Sequence, residues 1–340
     1  MKRVGHLMER IVSLDNLYLA YQKACRGKQC KQEVRRFSEH FDANIQELRL
    51  GIIDGTVAVG DYHYFTIHDP KTRTICAASF RERILHHAIL NVCHEYFDKT
   101  LIDTTYATRL GKGVYAAIDQ AVDALSHYEY SVKLDFRKYY DSIDHQVLKN
   151  KLRQRFKDPA LLLLFDRIID SYCVKEGKGL PIGNLSSQYF ANFYLSGLDH
   201  FVKEDLKTPC YIRYMDDILL AGNDKVDLKR IVWEMSGMAT DNLHLAFKPP
   251  VFRKSKDGQV FLGYKVMPYR YELAGRSKRR FRTKLLAYEK LLETGRWGQE
   301  QYAEHILPLL AFVEHAESRK FREASMKIQN GDNRRAGLTA

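Results

Sequence analysis

Long apolar runs are missing from this chain. None approaches the roughly 20 residues needed to cross a bilayer. The Met-Lys-Arg start is followed by Glu9, Arg10 and Asp15, so no secretory signal is expected. Cysteine is scarce and scattered: Cys25, Cys30, Cys76, Cys93, Cys173 and Cys210 include no C-x-x-C pair. Neither a zinc site nor a disulfide framework is expected, and a reducing, intracellular setting fits. There is no internal repeat or low-complexity tract, and 45% hydrophobic residues are too many for a disordered chain. Acidic charge is in deficit. Against 54 Lys and Arg stand 42 Asp and Glu, a formal charge of +12. Such a field draws polyanions; a soluble basic protein with no nucleic-acid role is the plainer alternative. The 340 residues allow one large domain or two to three lobes sharing a core.

What is present is a mixture of helical and extended patterns. Leu7, Ile11, Leu14, Tyr18 and Tyr21 repeat at helical steps, as do Val34, Phe37, Phe41, Ile45 and Leu48. Residues 56–79 read as extended, with a turn at Asp69-Pro70, and residues 81–98 return to helical spacing. A strand is expected from Tyr130 to Leu134, ending at Asp135. Helices follow over about 144–156 and 159–172, then a glycine-marked loop over 177–184, then a helix from Ser186 to Leu198. From Cys210 to Gly222 two apolar arms flank Asp216-Asp217, the pattern of a hairpin with acids at its tip. Helices close the chain, one through Phe281, Leu285, Tyr288 and Leu292, another through Tyr302, Ile306, Leu309 and Val313. A polar, frayed tail from about Asn330 is expected. Without a regular βαβ rhythm, the class is α+β.

The acids carry the chemistry. Two adjacent aspartates inside an apolar strand pair repel each other and lose solvation, so they need compensation, which bound cations can supply. If the strand ending at Asp135 lies beside the hairpin, three carboxylates converge. That suits phosphoryl transfer by two metals about 3.5–4 Å apart. An Asp-Asp pair on a solvated turn is the alternative.

At this point the sequence resembles reverse transcriptases. Tyr214-Met215-Asp216-Asp217 is similar to their active-site box, and Asp135 to Asp144 to their first catalytic motif. Phe261-Leu262-Gly263-Tyr264 resembles the primer-grip hairpin. Lys71-Thr72-Arg73 with Glu82-Arg83-Ile84, and Tyr106 to Gly113, resemble the fingers motifs. The matches run in family order over about residues 60–275. The resemblance implies a right-hand polymerase fold. The expected divisions are an N-terminal helical extension (1–55), fingers (56–130), palm (131–275, with some fingers elements at about 145–185), helical thumb (276–330) and a flexible tail (331–340). It implies Asp135, Asp216 and Asp217 as catalytic and metal ligands with the Phe136 carbonyl, holding two Mg²⁺ ions for which Mn²⁺ could substitute. Lys71, Arg73, Arg83, Tyr140, Ile182, Gly183 and Gln188 would meet the incoming dNTP, with Tyr140 excluding a 2′-hydroxyl. Tyr214, Met215, Leu262, Gly263, Arg279, Arg280 and Arg282 would meet template and primer. Other readings remain open: a solvated basic hairpin for Lys71, a structural ion pair for Arg83, a core tyrosine at 140.

One motif narrows the family. Leu180-Pro181-Ile182-Gly183-Asn184-Leu185-Ser186-Ser187-Gln188 departs from the Gln-Gly and Ser-Pro usual in group II intron enzymes. It resembles the reverse transcriptases of diversity-generating retroelements, found in bacteria and their phages. These copy a template-repeat RNA with errors opposite adenines, and the cDNA diversifies a target gene. Glutamine can hydrogen-bond the nascent pair where isoleucine cannot, a contact worth on the order of 1 kcal/mol. Ile182 is therefore a candidate source of infidelity; an apolar loop anchor is the alternative. The resemblance also implies a small basic helical-bundle accessory protein, oligomeric in that family, an RNA/cDNA duplex, a cytoplasmic setting and no membrane. The seven basic residues between Arg270 and Lys284 are read as one face of a helix gripping phosphates. No segment after the thumb is long enough for a nuclease domain, so priming and integration are expected from elsewhere. A retron or group II-like enzyme, or a non-catalytic RNA-binding protein of the same shape, are the competing readings.

Overall fold

The computed structural model describes residues 3–68 and 71–325; the Asp69-Pro70 turn and the 331–340 tail lie outside them. The chain begins with α1 (Met8–Ile11), α2 (Leu14–Cys25), α3 (Gln32–Glu39) and α4 (Phe41–Ile53), then the hairpin β1 (Tyr62–Ile67) and β2 (Arg73–Ala78), then α5 (Phe80–Asp98) and α6 (Val114–His127). Next come β3 (Tyr130–Asp135), α7 (Tyr139–Ser142), α8 (His145–Arg155), α9 (Pro159–Asp170), α10 (Leu185–Tyr194) and α11 (Ser196–His200), which runs into a π-helical turn, Phe201–Asp205. The hairpin β4 (Cys210–Tyr214) and β5 (Asp217–Gly222) precedes α12 (Lys225–Leu243). The strands β6 (Val251–Lys254), β7 (Gln259–Phe261), β8 (Tyr264–Met267) and β9 (Arg270–Leu273) lead to α13 (Gly275–Glu293) and α14 (Gln299–Glu314).

Three expectations need correction. The helix read through 7–21 is two, because Ser13 leaves the helical region and caps α2 by accepting from the Asn16 amide. The helix read through 34–48 breaks at His40, whose φ of −128° is not helical. Arg270 and Glu272 belong to β9, paired with β8 through a turn in which Tyr269 has φ +65°; the basic helix begins only at Gly275.

The chain forms two compact units. One comprises Met1–Leu110, Asp135–Lys207 and Ile231–Lys248. In it α2 packs on α5, burying Leu17 and Ala20 from one helix and Ile84 and Ala88 from the other, while Asn16 Nδ2 donates to the Ala88 carbonyl at 2.9 Å. Phe97, Phe156, Phe165, Phe190 and Phe193 meet in a ring cluster with centroids 5.3–6.3 Å apart. Each buried ring stabilises by roughly 1.5–3 kcal/mol through area alone. The β1–β2 hairpin is antiparallel, with β1 largely exposed and Cys76 and Ala78 of β2 buried.

The other unit comprises Gly111–Leu134, Thr208–Arg230 and Pro249–Ala340. Its sheet has the order β4-β5-β3-β6, and β7-β8-β9 form a separate antiparallel meander. Ile212, Ile218, Leu219, Leu220, Val132 and Leu134 are buried in the sheet, and α6 packs on it through Ala117, Ile118 and Ala121. In the α13–α14 pair Phe281, Leu285, Ile306 and Val313 are buried. No helix of the described residues is long and apolar enough to cross a membrane.

Candidate active site

The acid hairpin in the second unit forms as its pattern predicts. Tyr214 pairs with Asp217, so Met215 and Asp216 alone make the turn. Met215 takes φ +55°, while Asp216 does not enter the left-handed region. A positive φ at the first central residue only is the pattern of a II′ turn, where glycine is normal. A side chain there costs about 1–2 kcal/mol. Arg213 opposes the strain. Its side chain is fully buried under the sheet and donates from Nη1 to the Met215 carbonyl at 3.0 Å. Asp217 opens β5 half-exposed, and Lys133 of the neighbouring strand β3 brings its ammonium to 2.9 Å from Oδ1. Burial pushes the Tyr214 phenol up.

The predicted primer-grip segment lies in the same unit and is also a two-residue turn. Leu262 and Gly263 have φ +47° and +89° between β7 and β8, the I′ pattern. The Gly263 carbonyl accepts from Ser277 Oγ at 2.6 Å and the Ala274 amide at 3.1 Å. Arg279, Arg280 and Arg282 lie exposed on α13, and Arg282 stands over the Phe321 ring.

In the first unit Asp135 ends β3, half-exposed, with Lys248 Nζ at 2.5 Å from Oδ2 and the Lys248 amide bound to the Asp135 carbonyl. Phe136 is buried, its ring stacked on Phe247 at 4.2 Å. Tyr140 is half-buried, edge-on to Tyr139. The predicted nucleotide segments are joined by main-chain bonds. The Tyr140 carbonyl accepts from the Leu180 amide at 2.9 Å, and the Ile182 carbonyl from the Cys76 amide at 2.8 Å. Asn184 Oδ1 accepts from the Ala78 amide at 3.0 Å. Loop 180–184 thus extends the edge of β2, the strand that Arg73 begins. Gly183 has φ +124°, and a Cβ there would come within 2.7 Å of Ile75 Cγ2, so only glycine fits. Ile182 is half-buried, Gln188 exposed on α10, and Lys71 and Arg73 exposed at the hairpin end. Arg83 is not at that end. It pairs with Glu33 of α3 and lies over Phe80, an ion pair with the N-terminal helices and not with an acid of the fingers segment 56–130.

Among the described residues no three His, Cys, Asp or Glu side chains form a ready metal cage. Asp135 in the first unit and Asp217 in the second are each half-exposed, and each holds an ammonium; half-exposed carboxylates of this kind are the donors a hard cation takes together with substrate oxygens. Lys133, Lys248 and Arg213 escaped the sequence reading. Lys133 shares a strand face with Asp135 by period two, and Arg213 is a lone charge among apolar neighbours, so both left a signal. Lys248 left none.

Residues 67–265, more than half the chain, match the family described as reverse transcriptase (RNA-dependent DNA polymerase). The chain belongs to this family, and its α+β architecture is that of the right-hand polymerases. Among its relatives, the putative COX1/OXI3 intron 2 protein of Saccharomyces cerevisiae is 21% identical over 59% of this chain and 32% of its own length. The group II intron-encoded protein LtrA of Lactococcus lactis is 22% identical over 55% of this chain and 33% of its own. The chain thus spans about a third of these relatives. The structure of telomerase from Candida tropicalis, solved with a fragment of telomeric RNA, overlaps 83% of this chain and 58% of its own at 13% identity and a TM-score of 0.47.

Proposed function

We propose that the protein is an RNA-templated DNA polymerase whose low fidelity serves target-gene diversification. The observation that carries the polymerase reading is the main-chain belt through Tyr140, loop 180–184 and β2. It fixes in one unit the segments that sequence resemblance assigns to sugar, nascent pair and triphosphate. Asp135, Asp216 and Asp217 would hold two Mg²⁺ ions, for which Mn²⁺ could substitute. When bound, the ions supply activation of the primer 3′-hydroxyl and neutralisation of the leaving oxygen. Lys133 and Lys248 each form an ion pair with one of these carboxylates, Asp217 and Asp135, and orient it. Lys71 and Arg73 would bind the triphosphate, and Tyr140 would exclude a 2′-hydroxyl. The exposed arginines of α13 would follow the backbone of an RNA/cDNA duplex. We assign residues 56–130 to fingers, 131–275 to palm and 276–330 to thumb. The partners would be a template-repeat RNA and a small basic helical-bundle protein.

The diversification reading rests on Ile182 and Gln188, which depart from the intron-enzyme pattern. The intron-encoded relatives favour a second reading, an intron-mobility enzyme. Primer extension on an RNA template, with and without chelator, tests the polymerase. Sequencing the product separates the two roles: errors concentrated opposite adenines and reduced by Ile182→Gln support diversification, whereas uniform errors unaffected by that change remove it.

A further inference from the structure

Beneath the belt lies a polar cluster that the catalytic reading does not use. Glu82 and His86 occupy one face of α5, one turn apart, and are 2% and 1% exposed. Ser186 and Asn184, at the start of α10 and just before it, are each 3% exposed. Glu82 Oε2 accepts from the Gly60 amide at 3.0 Å, tying α5 to the approach of β1. His86 Nε2 stands 3.5 Å from Glu82 Oε1 and 3.5 Å from Ser186 Oγ. Glu82 Oε1, His86 Nδ1 and Asn184 Nδ2 have no hydrogen-bond partner among the described residues.

Apolar packing would hold α5 to α10 at no desolvation penalty, so buried polar groups with unmatched atoms mark something other than a core contact. Nε2 cannot serve both groups fully at once: as a donor its one N–H goes to Glu82 or to Ser186, and as an acceptor it takes only the Ser186 hydroxyl. The imidazole therefore has two arrangements: toward Glu82, leaving the start of α10 free, or toward Ser186, holding it. Ser186 follows Asn184 by two residues, and Asn184 is bound to β2. Whatever holds Ser186 also sets Ile182 and Gly183.

We propose that Glu82, His86 and Ser186 are positioning residues that set loop 181–184 and thereby the selection of the incoming nucleotide. This rests on the polymerase reading for the role of the loop. A shared, long contact at this point would let the loop yield to a mismatched pair where a single short bond would resist it.

The test compares His86→Leu, His86→Gln and the milder Ser186→Ala in the full chain, each checked for folding by thermal unfolding. Glutamine can present an amide donor near the place of Nε2; leucine cannot. In His86→Leu the KM for dNTP is expected to rise about fivefold, the factor one such contact carries, with kcat within about twofold. The misincorporation ratio is expected to rise alongside, and Ser186→Ala to move the same way. His86→Gln should remain within about twofold of the parent. Hydrogen exchange gives a readout independent of activity: the Cys76 and Ala78 amides, which are bound to the loop, should exchange faster in His86→Leu and not in His86→Gln. A folded His86→Leu with unchanged exchange, KM and misincorporation overturns the proposal, as does a glutamine variant as impaired as leucine. If the parent extends no primer, the polymerase reading falls, and the exchange result alone then decides whether these residues position the loop.

Discussion

The acid hairpin and loop 180–184 are held still by opposite means. At Met215-Asp216 the backbone is strained and a single buried arginine grips the turn from below. At 180–184 the strain falls on Gly183, where glycine relieves it, and fixation is spread over three bonds to Tyr140, Cys76 and Ala78. On the proposed reading, a concentrated hold would suit a carboxylate that must not drift relative to a metal, since misplacement by about 1 Å can cost on the order of a hundredfold in rate. A distributed hold tolerates local give, which suits a loop that accepts more than one base pair.

The comparison is tested hardest at the acids themselves. Asp216→Asn and Asp135→Asn, each removing one charge with little change of shape, should lower primer extension by about a thousandfold or more, with the fold retained by circular dichroism. Residual activity within tenfold of the parent would break the metal reading. Next in size is the concentrated hold. Arg213→Met leaves the Met215 carbonyl without its donor in a buried setting and should destabilise by at least about 2 kcal/mol in urea unfolding. The distributed hold should yield less to the loss of any one bond, but its glycine is different. Gly183→Ala forces a Cβ against Ile75 at a positive φ, expected to cost about 1–2 kcal/mol, read as a lower urea midpoint.

The same unit as the loop holds an acid-sensitive group that the acid hairpin lacks. Burial, with repulsion from Lys23, His86, Lys28 and Arg83, lowers His87 to about 4. The unfolded chain therefore takes up a proton on this residue between pH 6.5 and 4 that the folded chain refuses. Its contribution is intact above about pH 6.5 and lost as the pH falls toward 4. Because the ring is only partly buried, screening reduces the effect to about 1 kcal/mol. His87→Gln should flatten the stability profile across that window, and an unchanged profile would assign the acid sensitivity elsewhere.

Much of this was legible in the residues, for identifiable reasons. The acid hairpin announces itself because the largely apolar arms 211–215 and 218–221 on either side of two aspartates leave few other arrangements. Helix α5 was readable from Ile84, Ala88 and Val92, whose spacing is local. What the sequence hid is what depends on distant chain. Lys248 reaches Asp135 across 113 residues, and Ser186 reaches His86 across 100. The cluster under the loop was hidden a second way: Glu82 and His86 look like the polar face of an amphipathic helix, and only burial by α10 reverses that meaning. The early helices were merged because apolar periodicity carries over a cap, and Ser13 and His40 interrupt the backbone without interrupting the pattern. Strands β6 and β9 are four residues each, too short for alternation to show.

The smallest expected effect separates strain from grip at the acid turn. Met215→Gly removes a Cβ from a left-handed position and keeps the Arg213 bond, which goes to the backbone carbonyl. Relief of about 1–2 kcal/mol of strain is opposed by the greater freedom of glycine in the unfolded chain, about 0.5–1 kcal/mol. The net should be a gain near 0.5 kcal/mol, read as a higher urea midpoint at constant slope. If the strain exists only to aim Asp216, the gain comes with slower extension, because a relaxed turn samples more directions than the one the metals need. Leu262→Gly is the control, since it too removes a side chain from a positive-φ position, in a turn that bears no acid. A stability gain at both turns with a rate loss only at Met215 ties the strained backbone to catalysis. Equal rate losses at both would mean that the turns act on template and primer alike.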